Sequence, residues 1–298
     1  MNLYCYGWAV IVSYNPSVSN LLELVSQLKM QNISVILVDN GSTYRLNEND
    51  LGCKLINLEK NEGIAAAQNR GIEYAINHGG KHIIFFDQDS SIPNDYVVNL
   101  MNDYQFLINQ GIKVGTIGPR FIDERFGFYY KTVNMSQHGF REKIDVSKIT
   151  QPEPSTLLIS SGSLVSVDVL KDIGFMRENY FIDYVDTEWC IRAASLGYKN
   201  YVSAQAVMQH TIGDNVLQFR YFNVPVHSPF RRYYRVRNAY YMYREPHVPK
   251  LLALREILFN FVHQLILILF LSKKSEYIKS YAKGVKDGLF NYKGHNDD

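Results

Sequence analysis

Apolar residues in the first 120 positions fall into short runs separated by stretches with helical spacing. Ala9 to Tyr14, Ser34 to Val38, Lys54 to Leu58, His82 to Phe86 and Val114 to Ile117 read as strands. Between them, Ser19 to Met30 places Leu21, Leu24, Val25 and Leu28 on one helical face, Glu62 to Asn77 is an Ala-rich helix, and Asn94 to Asn109 is a third. Ser90, Ser91 and Pro93 look like the entry to that third helix. Strand alternating with helix predicts an α/β fold with a mostly parallel, Rossmann-like sheet. From Arg120 to Pro154 the alternation is lost, which reads as an irregular insertion covering part of a site. Order returns with Thr156 to Ser160 and the strand-like Leu164 to Val167, and a helix runs from near Asp186 to Gly197.

Near the end, Ile257 to Leu271 is strongly apolar but interrupted by Asn260, His263 and Gln264, and falls short of the roughly 20 residues of a spanning helix. Lys273, Lys274, Lys279 and Lys283 follow. Two readings stand: a helix in the membrane interface whose lysines meet anionic headgroups, or one packed on the domain or at a homodimer contact. Nearby tyrosines, among them Tyr233, Tyr234 and Tyr240, favour the interface.

An apolar share of 46% in 298 residues supplies a full core, and a net charge of +2 gives no global basic field for nucleic acid. Cys5, Cys53 and Cys190 form neither a paired disulfide framework nor a zinc spacing, so a reducing, cytoplasmic compartment is expected. The apolar stretch near the start lacks a basic flank and is better read as a strand than as a signal peptide.

The chemistry gathers where strands end. Asp87-Gln88-Asp89 closes the buried run 82–86 with carboxylates on alternate residues, so both can point beyond the sheet edge. Such oxygen ligands suit Mg²⁺ or Mn²⁺, with substrate phosphates completing the shell, though a solvated turn or helix cap shares the pattern. An EF-hand loop is excluded by Ile92 and Val98 where Gly and Glu are needed. Ser13-Tyr14-Asn15 and Asp39-Asn40-Gly41-Ser42 close two more strands, at the carboxyl ends where open α/β sheets bind ligands. No glycine-rich dinucleotide or P-loop fingerprint follows the first strand. Further on, Asp183, Asp186 and Glu188 crowd the opening turn of a helix, whose positive end would keep Asp186 ionised as a base; a capping cluster is the alternative.

Together these segments, with 61–71, Ser160-Ser161-Gly162-Ser163-Leu164, Asp183 to Arg192, Gln209-His210-Thr211 and His227 to Tyr234 with Arg237-Asn238, resemble the family 2 glycosyltransferases of GT-A fold, and within them the bacterial rhamnosyltransferases. The resemblance implies an αβα sandwich catalytic domain over 1–225, with a nucleotide-sugar half near 1–118 and an acceptor half near 119–225, followed by a helical region over 226–298, for which the membrane-peripheral and packed readings above both stand. It implies that Asp39 reads the nucleotide base with Ser13, Tyr14 and Asn15 beside it. Asn61, Gly63 and Asn69 would border the donor diphosphate and sugar. Asp87, with Gln88, would lie by the ribose and metal, Asp89 would be the direct metal ligand and His210 the second. Asp186 would be the catalytic base, with Glu188 the rival for that role. Gly162, Ser163, Asp183 and Trp189 would face substrate, Arg192 would brace the helix, and Arg231, Arg232 and Arg237 would cover the diphosphate.

The implied activity is an inverting, metal-dependent transfer of L-rhamnose from dTDP-L-rhamnose to a lipid-linked glycan in O-antigen or related polysaccharide assembly, at the inner face of the bacterial membrane. A UDP-hexose donor is the alternative. Less favoured are a nucleotidyltransferase, which needs a basic phosphate loop that 13–17 lacks, and an inactive sugar-binding protein.

Overall fold

A computed structural model describes residues 7–123, 127–136, 138–209, 216–218 and 223–292. In the first third, β1 (Gly7–Ser13), α1 (Val18–Met30), β2 (Ser34–Asp39), the short α2 (Glu48–Leu51), β3 (Lys54–Asn57), α3 (Ile64–Asn77) and β4 (His82–Asp87) follow in order. Then come α4 (Tyr96–Asn109) and β5 (Val114–Ile122). α4 starts two residues later than its sequence suggested, with Asp95 rather than a serine before its first turn. The supposed irregular insertion holds an antiparallel hairpin, β6 (Thr132–Met135) and β7 (Arg141–Ile144), and the edge strand β8 (Glu153–Pro154). Thr156 to Ser160 is not a strand; Leu157 makes a single bridge to Val133.

β9 (Leu164–Ser166) leads into α5 (Val167–Ile173), whose first turn is capped by Ser166 Oγ accepting from Val169 N at 3.2 Å. α6 (Val185–Ser195), β10 (Lys199–Gln209) and the ribbon β11 (Val216–Gln218) and β12 (Asn223–Pro225) follow. The chain ends in α7 (Pro229–Arg244), α8 (Lys250–Phe270) and α9 (Lys274–Phe290). Ser228 caps α7 and Pro229 opens it, as a proline at the first helical position does.

One eight-stranded sheet, ordered β3-β2-β1-β4-β9-β5-β10-β8, carries the molecule. β3, β2, β1 and β4 are parallel, β9 runs against β4 and β5, β5 and β10 are parallel, and β8 runs against β10, so the expected mostly parallel α/β sheet is what forms. Successive strand residues point to opposite faces. Val10, Ile36, Val38, Ile83 and Phe85 therefore pack toward α3, α5 and α6, while Ala9, Ile11, Leu37, Ile84 and Phe86 pack toward α1 and α4. In register, Val12 lies opposite Asp87 and Ser13 opposite Asp39, so three strands deliver their polar endings to one edge.

The C-terminal helices pack closely: a Cβ on Gly284 would meet Val236 at 3.0 Å and one on Gly288 would meet Tyr240 at 2.9 Å, so α9 can approach α7 only with glycine there. α8 has 21 residues, seven more at its start than the apolar run 257–271 announced, and by length and composition it is long enough to cross a membrane. Its inner face sets polar groups among apolar ones, for Glu256, Asn260 and Gln264 are buried beside Leu252, Ala253 and Leu267.

Candidate active site

At the β1–β2 edge, Asp39 is buried and accepts hydrogen bonds from Ser13 Oγ at 3.3 Å, from Ser42 N at 3.2 Å and from Ser42 Oγ. Asn15, in the left-handed region at φ 48°, donates its N–H to Ser42 Oγ and accepts from the N–H and hydroxyl of Thr43 at 2.8 and 2.9 Å. Tyr14 is exposed, and its N–H donates to Gln88 Oε1 at 2.7 Å, fastening the end of β1 to the end of β4. These bonds shape a small polar recess. Gly41, at φ 79°, lies against the backbone of Lys60 and Asn61, where a side chain has no room. Asn61 Oδ1 accepts from Asn40 Nδ2 and Gly63 N, holding the turn into α3.

A few ångströms along the edge, the acidic residues gather. Asp87 is half-buried and Asp89 exposed. Burial, then repulsion from Asp89 and Asp186, pushes the Asp87 carboxyl up to about 6, against the pull of a Ser161 hydrogen bond and the Arg231 charge. Asp186 lies half-buried in the second position of α6 and lines a cavity of about 290 Å³ with Pro119, Phe121, Tyr130, Val133 and Leu157. Burial raises its pKa although the N–H groups of Thr187 and Ser160 favour the charged form. Desolvation thus works against the helix end that favours the charged form, and a raised pKa makes the carboxylate a stronger proton acceptor. The hairpin β6–β7, read from sequence as a cover, does supply cavity wall through Thr132 and Val133.

The segment feeding Asp186 is strained. Phe181, Asp183 and Tyr184 all have φ near 63–64°, a region that non-glycine residues avoid. Phe181 O accepts from Ile64 N at 2.7 Å, and a Cβ on Gly63 would sit 2.6 Å from the same oxygen, so the start of α3 and the segment leading into Asp186 are pressed together. On the other side Asn238 Nδ2 donates to the carbonyls of Tyr180, Ile182 and Asp183 at 2.8–3.0 Å. Asp183 receives Arg231 Nε at 3.1 Å and Arg235 Nη1 at 3.4 Å.

Several residues expected at the site are seated elsewhere. Asn69 is buried and bonded to Met176 and Glu178. Gly162 and Ser163 are buried in a turn welded to β4, with Ser163 Oγ donating to Ile159 O. Glu188 is fully buried. Burial works to raise its pKa, but His247, Arg192 and Arg177 outweigh it and hold the carboxyl below its ordinary value, which suits an ion-pair anchor and not a base. Trp189 packs in the core, donates to Gly174 O at 2.9 Å, and lines a small internal cavity that Asp186 also borders. Arg232 has no exposed surface and is bonded to Asn260 and Gln264, and burial lowers its pKa to about 10. Arg237 is buried on the carbonyls of Asn179 and Tyr180. Of the three arginines, Arg231 alone combines exposure with an electrostatic hold on Asp87. Arg192 does brace α6, donating to Ile173 and Phe175 carbonyls.

His210 lies outside the described residues; Gln209, just before it, is bridged to Ser91 in the loop after Asp89. Sequence reasoning passed over Ser42, Thr43, Ser161, Arg235 and Asn238 as site-builders. Ser42 and Ser161 were within reach, since each follows or faces a strand end in a quoted motif.

A divalent cation is the ligand to test against this edge. Among the described residues no group of three or more His, Cys, Asp or Glu side chains is placed to hold one. Asp87 and Asp89 nonetheless fit as hard-oxygen donors: two carboxylates at the end of one strand, near enough to repel each other, offer the ligands that a divalent cation takes.

A model of glycosyl transferase family 2 matches residues 8–174. The chain is 42% identical over 285 residues, 95% of each chain, to the dTDP-rhamnosyl transferase RfbF of Shigella flexneri. It is 28% identical over 219 residues, 67% of this chain and 68% of the other, to the amylovoran biosynthesis glycosyltransferase AmsB of Erwinia amylovora. Among solved structures it resembles GalNAc-T7 with UDP, GalNAc and Mn²⁺ at a TM-score of 0.57 and 13% identity, covering 95% of this chain but 57% of that one. S. aureus TarS 1-349 with UDP gives 0.52 at 16% identity, covering 94% and 90%. The last two likenesses establish the GT-A fold.

Proposed function

The chain belongs to glycosyl transferase family 2, and we propose that it moves L-rhamnose from dTDP-L-rhamnose to a hydroxyl of a lipid-linked glycan, with inversion at the anomeric carbon. That it is a nucleotide-sugar glycosyltransferase follows from the family; the sugar, the acceptor and the stereochemistry are the proposal. What carries the donor assignment is the 42% identity to a dTDP-rhamnosyl transferase along 95% of both chains.

In this reading the recess of Ser13, Asn15 and Asp39 takes the nucleoside, the buried Asp39 carboxylate accepting from a base N–H. Asn61 and Gly63 set the turn beside the diphosphate, and Arg231, its partly exposed side chain paired with Asp183, meets its phosphate oxygens. Asp87 and Asp89 would hold Mg²⁺ or Mn²⁺, which when bound stabilises negative charge on the departing nucleotide. Asp186 accepts the proton of the acceptor hydroxyl as its oxygen attacks the anomeric carbon from the cavity side, and its raised pKa brings it nearer to working pH. A single base and attack opposite the leaving group give inversion. The acceptor sugar occupies the cavity of about 290 Å³, whose mostly apolar lining suits the faces of a pyranose ring.

The test is a donor panel scored by nucleotide release with acceptor lipid. Turnover of dTDP-L-rhamnose in Mg²⁺ or Mn²⁺, abolished by chelator, is expected. Turnover of a UDP-hexose in its place reassigns the donor, and full activity in excess chelator removes the metal from the scheme.

A further inference from the structure

α8 buries polar groups in the middle of its inner face and exposes apolar ones along its outer face. Its inner face carries Glu256, bonded to Tyr184 and Arg141, with Asn260 and Gln264 holding Arg232. Its outer face carries Leu251, Leu254, Leu258, Phe261, Leu265 and Leu269, at steps of three and four residues and each 45% to 70% exposed. At 1.5 Å per residue that stripe is about 27 Å long. A run of exposed large apolar side chains of this length marks an interaction surface.

The charges around it identify the occupant. Lys250 stands at its start, Lys273 and Lys274 just beyond its end, and all three are exposed, as are Lys279, Lys283 and Lys286 on α9. Between 250 and 274 the single acid is Glu256, which faces inward and is already paired. A second copy of the helix laid antiparallel would set Lys250 and Arg255 against Lys273 and Lys274, and laid parallel would set the lysine pairs against each other. Like charges disfavour both. An anionic lipid surface satisfies the stripe and the lysines together.

Crossing the bilayer is excluded by the inner face, whose polar groups are committed to the rest of the molecule. We infer that α8 lies flat on an anionic membrane, its outer stripe sunk into the headgroup boundary and the lysines of its ends and of α9 meeting lipid phosphates. The surface would then stand one helix away from the catalytic segment, since α8 touches Tyr184 through Glu256 on its other side. This deepens the proposed function by naming how a lipid-linked acceptor is met, and it rests on that reading only for its purpose.

Flotation of the full chain with phosphatidylglycerol-containing vesicles, against pure phosphatidylcholine, tests it. The wild type is expected to float with the anionic vesicles, with binding reduced at least tenfold in L258E/F261E and several-fold, with weaker salt dependence, in K273Q/K274Q. Both pairs are solvent-facing, and unchanged thermal melts and unchanged nucleotide release from the donor in solution would show that the fold and the site survive. Wild-type protein left in the buffer with anionic vesicles overturns the inference. So does a dimer in sedimentation that L258E/F261E dissolves, which gives the stripe to a second copy. Vesicle binding with no release of nucleotide from dTDP-L-rhamnose sustains the membrane surface while removing the proposed donor.

Discussion

Along β1, β2 and β4 the central residues are apolar and the polar side chains stand at the strand ends, the buried Ser13 and Asp39 among them; in α6 to α8 the buried positions hold Glu188, Arg232, Asn238, Glu256 and Asn260, and on α8 leucines face outward. The two regions use burial for different ends. In the sheet it supplies stability, about 1.5–3 kcal/mol for each fully buried Val, Leu or Ile, and leaves the carboxylates at its edge free to bind. In the helices it fixes position. Arg192, Arg177 and His247 converge on Glu188, two residues after Asp186, and Asn238 holds three carbonyls of the strained segment before it. Buried polar networks seldom add net stability, but they tolerate few alternative geometries.

If the edge carboxylates are for chemistry and the buried ones for structure, Asp186→Asn and Glu188→Gln must fail differently. Asp186→Asn is expected to lower kcat by about 10²–10⁴-fold, the usual worth of a general base, with donor affinity by calorimetry and thermal midpoint nearly unchanged. Loss of donor affinity instead would move Asp186 into the nucleotide recess.

Glu188→Gln strikes stability. Losing the carboxylate leaves Arg192 buried without its counter-charge and Arg177 with Glu245 alone, and breaking such a buried pair costs about 3–5 kcal/mol. The acid side follows from its depressed pKa. A carboxyl held below its ordinary value of 4.5 in the fold contributes stability above that pH and loses it as the pH falls through the folded value. The gap in thermal midpoint between wild type and Glu188→Gln is therefore expected to be widest near neutral pH and to close below about pH 4.5. A gap that stays constant through acid would mean that Glu188 is not the anchor.

The same contrast explains what could be read from residues alone. The strands announce themselves through apolar runs, and Asp87 and Asp89 stand out because carboxylates closing a buried strand are unusual. A charged residue on a helix gives no such sign, since Arg232 would look the same facing water as it does enclosed by Asn260, 28 positions away. Glu188 finds His247 at a separation of 59. Arg232, Arg237 and Glu188 were therefore placed at the site by motif, and only packing shows them behind it. Positive φ at Phe181, Asp183 and Tyr184 is equally silent, because glycine is the residue that normally signals it. The apolar run 257–271 understates α8 because Leu251, Leu252 and Leu254 extend the helix on the far side of the charged Arg255–Glu256 pair.

Asn238 joins the two regions, and its removal measures how far the helices govern the site. One amide donates to Tyr180, Ile182 and Asp183 carbonyls, keeping the left-handed turn from relaxing. Asn238→Ala leaves those acceptors without their buried donor, a loss of about 1–3 kcal/mol by the cost of an unsatisfied group. Because the segment leads directly into Asp186, a shift there is also expected to lower kcat about 10-fold, within the loss that a misplacement of about 1 Å can cause. Donor KM should change less than twofold, since Asp39 and Ser13 are held by separate bonds. A purely structural residue would lower the thermal midpoint and leave kcat of the folded fraction intact, so steady-state kinetics well below that midpoint separate the roles. An unchanged kcat would mean that the strained segment keeps its shape through the Phe181–Ile64 bond to α3 and the arginines on Asp183, and that the helices only shelter it.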